Sequence, residues 1–450
     1  MAHGRGPSLP GLRPEPTGIV RFLRSEAAGG VLLAIATLVA LVLANSSLHE
    51  AFVRFWHVEA GFLVGELHFE QSLLHWVDDA LMALFFFVVG LEIKREFVVG
   101  ELSSLRGAAL PVIAAVGGMA VPAMLYLAFN WGGVDQRGRG VPMATDIAFA
   151  LGILALLGSR APAGLKVFLS ALAIADDLGA IVVIALFYSK GIELSWLLWG
   201  LIPIVVLILM NRMRVDEPLA YLAVGSILWF LVLNSGIHAT VAGVIAALLV
   251  PTTAKISPSE FTDVCRIAVD EIDELDQPGQ HTLADYRQQE LALGMARAAE
   301  LSSAPLQRLE FALLPLTTYL ILPLFAIANA GVRFVGGAEI ELVSPLVFGV
   351  IVGLVVGKPL GVVLASWIAV RSGIASLPSG VSWRHIIGAG MLGGVGFTMS
   401  MFVGNLAFGV TDHGDDVKVA VLIASLLAGT IGYLWLRVSP ATGSDEADAS

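Results

Sequence analysis

Apolar runs long enough to cross a bilayer recur along this chain from Val31 to Leu436. That recurrence constrains the fold more than any other feature. A hydrocarbon core demands helices of about 20 residues, and about twelve such spans can be drawn here. Their cores are 27–45, 76–92, 108–129, 141–158, 163–187, 194–211, 218–235, 237–250, 309–331, 344–370, 384–409 and 417–437. The span at 237–250 is the weakest by length. The expected fold is an all-α polytopic membrane protein. Composition agrees: only 14% of the residues are charged, against about 25% in a soluble domain.

Some segments lie outside the transmembrane block at 25–437 or interrupt it. The Pro-, Gly- and Arg-rich stretch 1–24 has no apolar h-region, so a flexible cytoplasmic tail is expected rather than a signal peptide. An acidic tail is expected at 438–450. Within the block, 46–75 is expected to be an extracytoplasmic loop. The segment 251–308 is expected to be a cytoplasmic loop containing a helix; it carries the acidic run DEIDELD, Asp270 to Asp276. Lys94, Arg95, Arg106, Arg160, Lys166, Arg212, Arg214, Arg371, Arg384 and Arg437 fall on the N-terminal side of the membrane, which makes that side cytoplasmic and places both termini there. With a single cysteine, Cys265, an internal disulfide is impossible and a cysteine-based metal site is not expected. A net charge of −11 without a basic patch gives no nucleic-acid signature.

Four ionisable residues fall deep inside expected spans: Asp146, Asp176, Asp177 and Lys358. Spans four and five form an antiparallel pair turning near 158–163, so Asp146 and Asp176 both sit roughly 18–20 Å from that turn at about 1.5 Å per residue. Lys358 lies at a similar depth in span ten. One such residue alone reads as a structural polar contact. Four at one level read as an ion or proton pathway. Adjacent residues on a helix point about 100° apart, so Asp176 and Asp177 face different surroundings, one toward an ion and the other toward a partner such as Lys358. Sodium suits oxygen ligands, and no histidine or cysteine cluster suits a transition metal.

Two spans are interrupted. PMATDIAFALG, Pro142 to Gly152, breaks span four at a proline and an Asx-type Thr-Asp pair. GAGMLGGVGFTMSMF, Gly388 to Phe402, undermines span eleven through Gly393, Gly394 and Gly396. Glycines alone would equally serve close helix packing. Spans four and eleven run in opposite directions, as two inverted repeats over spans 3–5 and 10–12 require. Half-helix ends then meet at the membrane centre, where an acid such as Asp146 offsets positive N-termini and a base such as Lys358 offsets negative C-termini.

LMALFFFVVGLEIKRE (81–96), ATDIAFALGILALLGSR (144–160), ALAIADDLGAIVVIALFY (171–188), SGIHATVAG (235–243), LPLFAIANAGV (322–332), GLVVGKPLG (353–361) and GGVGFTMSMF (393–402) together resemble the bacterial NhaA-type sodium/proton antiporters. The resemblance implies twelve helices with spans four and eleven unwound and crossing. It implies Asp177 as the main ligand for Na+ or Li+ and Asp176 as the second acid, coupled to Lys358. It also implies Asp146 and Thr145 at the crossing, with Thr145 touching the ion. Sodium, lithium and protons are then substrates, no cofactor is needed, and exchange is electrogenic in a bacterial cell membrane. Glu92, Arg95, Glu96 and Glu310 match the family's pH-sensing end, although charges at span ends commonly only set topology. Phe311 and Leu314 stand where well-known members carry histidines, which alters the pH threshold. A packing or hydrogen-bonding role is the expectation for His238. A homodimer contact through 46–75 is implied by resemblance alone. The rival from another class is an intramembrane aspartyl protease, in which Asp146 and Asp176 or Asp177 would share a proton. The central lysine has no use in such a dyad, and nothing resembles a channel filter.

Overall fold

The computed structural model describes residues 26–64, 67–189, 191–275, 286–334, 341–409 and 412–439. In chain order it contains α1 (Glu26–Ala44), α2 (His49–Trp56), β1 (Glu59–Val64), β2 (Leu67–Ser72), α3 (Met82–Val98), α4 (Leu105–Asn130), α5 (Ile147–Leu156), α6 (Ala163–Phe187), α7 (Leu194–Arg212), α8 (Pro218–Asn234) and α9 (Thr240–Leu249). It continues with α10 (Pro258–Leu275), α11 (Tyr286–Leu301), α12 (Pro305–Leu316), α13 (Leu322–Asn329), α14 (Pro345–Val352), α15 (Lys358–Arg371), α16 (Trp383–Gly393), α17 (Phe397–Phe408) and α18 (Asp412–Val438). The expected tails at 1–24 and 438–450 lie outside the described residues, apart from Val438 and Ser439.

Each of the twelve expected spans is helical. Among the described residues, eight helical segments are long and apolar enough to cross a membrane, and the bent pair α16–α17 makes a ninth. The count of twelve is therefore not reached by length and composition alone. Helices α8 and α9 are apolar but short, α9 being the weak span with 10 residues. Helix α3 ends in charge: Glu92, Lys94, Arg95 and Glu96 all lie in its last turns. The starts of several spans follow from local chemistry. Proline occupies the first turn of α8, α12 and α14, where its missing N–H costs nothing. Ser104 caps α4 by accepting from the Gly107 N–H at 3.1 Å.

Three spans contain a π-helical turn: Trp76–Leu81 before α3, Thr317–Ile321 between α12 and α13, and Gly353–Gly357 between α14 and α15. Such turns leave backbone groups loosely paired and recur at functional positions. The outer surface is apolar like the core, because lipid is as apolar as the core. On α7, Leu198, Trp199, Leu201 and Ile202 are all exposed.

The segment 46–75 is not simple loop. Helix α2 is followed by an antiparallel hairpin in which Glu59 pairs with Ser72 and Val64 with Leu67. The hairpin is fastened to the helices by aromatic side chains: Phe69 lies 5.7 Å from Trp76 and 5.3 Å from Phe230, ring centre to ring centre. These strands are a small departure from an all-helical chain. The segment 251–308 likewise holds two helices rather than one. Helices α10 and α11 pack together, and the chain returns to its base where the Lys255 N–H donates to the Leu301 carbonyl at 3.0 Å. Asp276, at the end of the acidic run, lies outside the described residues. Lys255 and Arg297 reach Asp216, between α7 and α8, at 3.3 and 3.2 Å.

The repeat is visible in the packing. Helix α4 packs on α6, and α14 packs on α18, so the first and third spans of each repeat meet. The two repeats join where α4 and α15 touch backbone to backbone. A Cβ on Gly361 would lie 2.1 Å from the Gly117 carbonyl oxygen, so only glycine fits. This contact brings Lys358, one turn earlier on α15, into the centre of the protein.

Candidate functional site

Both expected breaks exist and face each other. Span four enters as a 3₁₀ segment, Val134–Met143, runs extended through Ala144, Thr145 and Asp146, and resumes as α5. Span eleven breaks at Gly394, Val395 and Gly396 between α16 and α17, with a bend of 45°. The Asp146 N–H donates to the Val395 carbonyl at 2.7 Å, so each break satisfies part of the other's free backbone. The Ser400 hydroxyl adds a second tie, donating to the Val141 carbonyl at 2.8 Å.

Asp146 lies between two helix N-termini. Its Oδ1 accepts from the Phe149 N–H at 2.9 Å, capping α5, and its Oδ2 accepts from the Thr398 N–H at 3.2 Å at the start of α17. The Thr398 hydroxyl donates to the same Oδ2. A carboxylate at two half-helix N-termini is stabilised by both dipoles. Lys358 and Asp176 form an ion pair at 2.6 Å with neither side chain exposed. The Lys358 ammonium also donates to the Met143 carbonyl, where the 3₁₀ half of span four ends. Thr145 Oγ1 is 2.8 Å from Asp176 Oδ2 and 2.8 Å from the Gly393 carbonyl oxygen. A hydroxyl carries one hydrogen, so it serves one of these acceptors at a time.

Asp176 and Asp177 point apart, as adjacent helical residues must. Asp176 turns to Lys358 and Thr145. Asp177 turns to a cavity of about 490 Å³ that is also lined by Val88, Val89, Glu92, Asp146, Thr398 and Met399. Asp177 is 2% exposed, and its Oδ2 has no hydrogen-bond partner; neither has Oδ1 of Asp176. Buried carboxylate oxygens without partners are costly unless a proton or cation completes them. A larger cavity, about 530 Å³, lies between α1, α5 and α18 and is lined without a charged group.

The three glycines of span eleven differ. A Cβ on Gly394 would lie 2.3 Å from the Leu354 carbonyl oxygen, and one on Gly396 would lie 1.9 Å from Ser400 Oγ and 3.1 Å from the Ala144 carbonyl oxygen. A Cβ on Gly393 would meet Lys358 Cγ at an ordinary 3.8 Å.

Glu92 lines the same cavity as Asp177, on the helix that continues to Arg95 and Glu96. Arg95 reaches Glu310 at 3.1 Å and Glu96 at 3.3 Å, so these four residues do gather at one end of the protein. Phe311 is 76% exposed and takes no part in that group's ion pairs. His238 Nε2 hydrogen-bonds the Tyr188 carbonyl oxygen at 3.0 Å, just past the end of α6.

Sequence reasoning missed Thr398, which holds Asp146. It also missed Asp78, which accepts from Asn329 Nδ2 at 2.8 Å. The signal for Asp78 was the pair in WVDDALM, passed over because it sits at a span end. Among the described residues, no three His, Cys, Asp or Glu side chains gather as a metal site. A small cation here would draw on one or two carboxylates together with hydroxyl and carbonyl oxygens.

A polytopic membrane protein with buried carboxylates and a buried ammonium at the crossing of two broken helices, beside a cavity, is an ion-coupled transporter of the broken-helix class. The chain matches the family model for Na+/H+ antiporter 1 over residues 20–436. It is 49% identical over 428 residues to the Na+/H+ antiporter NhaA of Acidithiobacillus ferrooxidans, covering 92% of this chain and 96% of that one. It is 47% identical over 422 residues to the NhaA of Helicobacter pylori, covering 92% and 94%. With the NhaA of Wolinella succinogenes it shares 43% identity over 420 residues, 93% of each. The chain belongs to the Na+/H+ antiporter 1 family. The protease alternative finds no support: Asp176 is paired to Lys358, not to a second acid.

Proposed function

We propose that the chain exchanges Na+, and Li+, for protons across a bacterial cell membrane by alternating access around Asp176, Asp177, Lys358, Asp146 and Thr145. The observation that carries this reading is the fully buried Asp176–Lys358 pair beside a cavity-facing Asp177. Asp177 receives the cation or a proton from the cavity, and the two compete for the same oxygens. When a cation binds, Asp176 supplies the neighbouring oxygens, and Thr145 swings its hydroxyl hydrogen to the Gly393 carbonyl. Lys358 then loses its counter-charge and releases its proton in addition to the one that the cation displaces from Asp177. Each cycle moves more protons than sodium ions, so exchange is electrogenic and inward proton flow drives sodium out. No cofactor takes part, and lipid is the surrounding solvent.

The cavity mouth, with Glu92, Arg95, Glu96 and Glu310, faces the cytoplasm in this reading, as do both termini and the α10–α11 hairpin. Cys265, the single cysteine, reports this orientation: a membrane-impermeant maleimide should label it in inside-out but not in right-side-out vesicles. The hairpin β1–β2 in 46–75 is the proposed homodimer contact on the other side.

Inside-out vesicles holding a proton gradient test the exchange. Added Na+ or Li+ should dissipate the gradient and K+ should do so far less. Asp177→Asn should abolish the response in a protein that still folds. A parent protein without a sodium response between about pH 6.5 and 9, the range in which a tuned carboxylate exchanges protons usefully, would overturn the reading.

A further inference from the structure

Helices α3, α13 and α17 and the π turns leading into α3 and α13 meet in two layers beyond the cavity, neither of which the exchange reading uses. The first layer is aromatic. Phe86 of α3, Phe325 of α13 and Phe402 of α17 are each at most 1% exposed. Phe402 lies 5.6 Å from Phe86 and 6.2 Å from Phe325, ring centre to ring centre. The second layer is polar. Asn405 of α17 donates through Nδ2 to Asn329 Oδ1 at 2.6 Å, and Asn329, at the end of α13, donates to Asp78 Oδ1 at 2.8 Å. Asn329 is buried, whereas Asp78 is partly exposed.

The order along span nine and α17 is the same. On α17, Met399 lines the cavity, Phe402 follows by about one turn and Asn405 by about another. Along span nine the cavity is lined through Leu322, then come Phe325 and Asn329. On span two the cavity is lined at Glu92, Val89, Val88 and Phe85; Phe86 lies level with that stretch on the adjoining face, and Asp78 lies beyond it toward the chain's start. Cavity, aromatic plug and polar latch therefore stack in one direction, away from the Glu92 mouth. A chain of side-chain hydrogen bonds ties Asn405 of α17 to Asn329 of α13 and Asn329 to Asp78 at that end. Asp78 itself lies in a π turn, Trp76–Leu81, and a second π turn, Thr317–Ile321, precedes the helix that bears Phe325 and Asn329. These are backbone segments able to adjust without losing the helix.

We propose that α3, α13 and α17 form the outer gate of the exchange cycle, with Phe86, Phe325 and Phe402 as its plug and Asp78, Asn329 and Asn405 as its latch. This rests on the exchange reading above and deepens it. When the latch parts, the ion leaving Asp177 passes the displaced rings and meets Asp78, the first carboxylate at the outer surface. Asn329 and Asn405 are positioning residues: they touch no ion in the closed state and set how often the gate opens.

Thiol accessibility tests the gate independently of transport. In a Cys265→Ser background, Met399→Cys places a single thiol on the cavity side of the plug. A membrane-impermeant thiosulfonate applied from the outer face should label it slowly. Adding Asn405→Ala, or separately Phe402→Ala, should raise that rate by about five- to tenfold, the factor one lost buried contact sets. The rate from the Glu92 side should stay unchanged, which also shows that the variants are folded. Asp78→Ala should open the gate in the same way, whereas Asp78→Asn keeps an accepting oxygen for Asn329 and should leave it closed. Outer-face labelling that is equally slow in the parent, Asn405→Ala, Phe402→Ala and Asp78→Ala would overturn the gate. Loss of sodium response in the parent vesicles would instead overturn the exchange reading, leaving the labelling pattern to be judged by itself.

Discussion

Removing the Lys358 ammonium while leaving Asp176 tests whether the buried pair is structural or part of the exchange. Both side chains are inaccessible to solvent and 2.6 Å apart. Taking away one partner of such a pair costs about 3–5 kcal/mol, because the remaining charge stays buried. Lys358→Met and Asp176→Asn should each incur a cost in that range. The double variant should recover much of it, because no lone charge remains. Recovery is incomplete for a specific reason. The Met143 carbonyl loses the Lys358 donor, and an unsatisfied buried acceptor costs about 1–3 kcal/mol. The amide introduced by Asp176→Asn keeps an oxygen for the Thr145 hydroxyl, so no further loss is expected on that side. The coupling across the cycle is then about 3 kcal/mol or more, read as thermal unfolding of the four purified proteins in detergent. The same four proteins are assayed for sodium-induced collapse of a proton gradient. Stability should return in the double variant and normal exchange should not. A double variant that exchanges at the parent's rate with the parent's pH profile would show the pair to be purely structural. Single variants as stable as the parent would refute the burial on which the magnitude depends.

The glycines of the second break should separate by their neighbours. Gly394→Ala drives a Cβ into the Leu354 carbonyl, in the π turn that leads to Lys358; it should cost about 1–3 kcal/mol and suppress exchange, while Gly393→Ala should leave both near the parent. The hairpin α10–α11 should stay docked at neutral pH. Asp216 lies below the usual carboxylate range: its partial burial pushes it up, but the Lys255 hydrogen bond, a backbone donor and the Lys255 and Arg297 charges outweigh that. A group with a depressed folded value stabilises above its unfolded value and loses that contribution as pH falls through the folded one, here in the region below about pH 4. Hydrogen-exchange protection of α10 and α11, with the intrinsic pH dependence of amide exchange divided out, should therefore be flat between about pH 6 and 9 and should fall on Asp216→Asn; a transition inside that window would refute the assignment.

What could be read from the chain follows from how unusual each residue is in its setting. A charge in an apolar run is conspicuous, so Asp146, Asp176, Asp177 and Lys358 stood out. The breaks were equally visible through Pro142 and the glycines around Gly394. Which glycine matters was not, because Gly394 owes its constraint to Leu354, forty residues away and on another helix. Thr398 was hidden for another reason: hydroxyls are unremarkable in membrane helices, and only the crossing reveals that this one holds Asp146. Asp78 looked like a span end, since its partners Asn329 and Asn405 come from distant parts of the chain. The strands β1 and β2 are held against Trp76 and Phe230 by tertiary contacts, which no local pattern of six residues encodes.

The three acids at the crossing differ in what the protein already gives them, and that difference assigns the exchangeable charge. Asp146 has both oxygens engaged, by the Phe149 N–H on one side and by the Thr398 N–H and hydroxyl on the other. Asp176 has an ammonium and a hydroxyl on one oxygen. Asp177 has Oδ2 buried and unpartnered at the cavity. The protein thus demands an external cation or proton most strongly at Asp177 and leaves less free acceptor capacity for one at Asp146. Asparagine at the two positions should accordingly fail in different ways. Asp146→Asn turns an amide toward the donors of α17 and weakens two helix starts, a cost of about 1–2 kcal/mol for a lost cap. It should lower the unfolding temperature and the maximal rate, with the residual exchange keeping its sodium KM. Asp177→Asn should leave the unfolding temperature near or above the parent's, because it removes an uncompensated buried charge, and should leave no sodium-dependent exchange at any concentration. A raised sodium KM in Asp146→Asn at unchanged stability would move Asp146 from the scaffold of the crossing to the ligands of the ion.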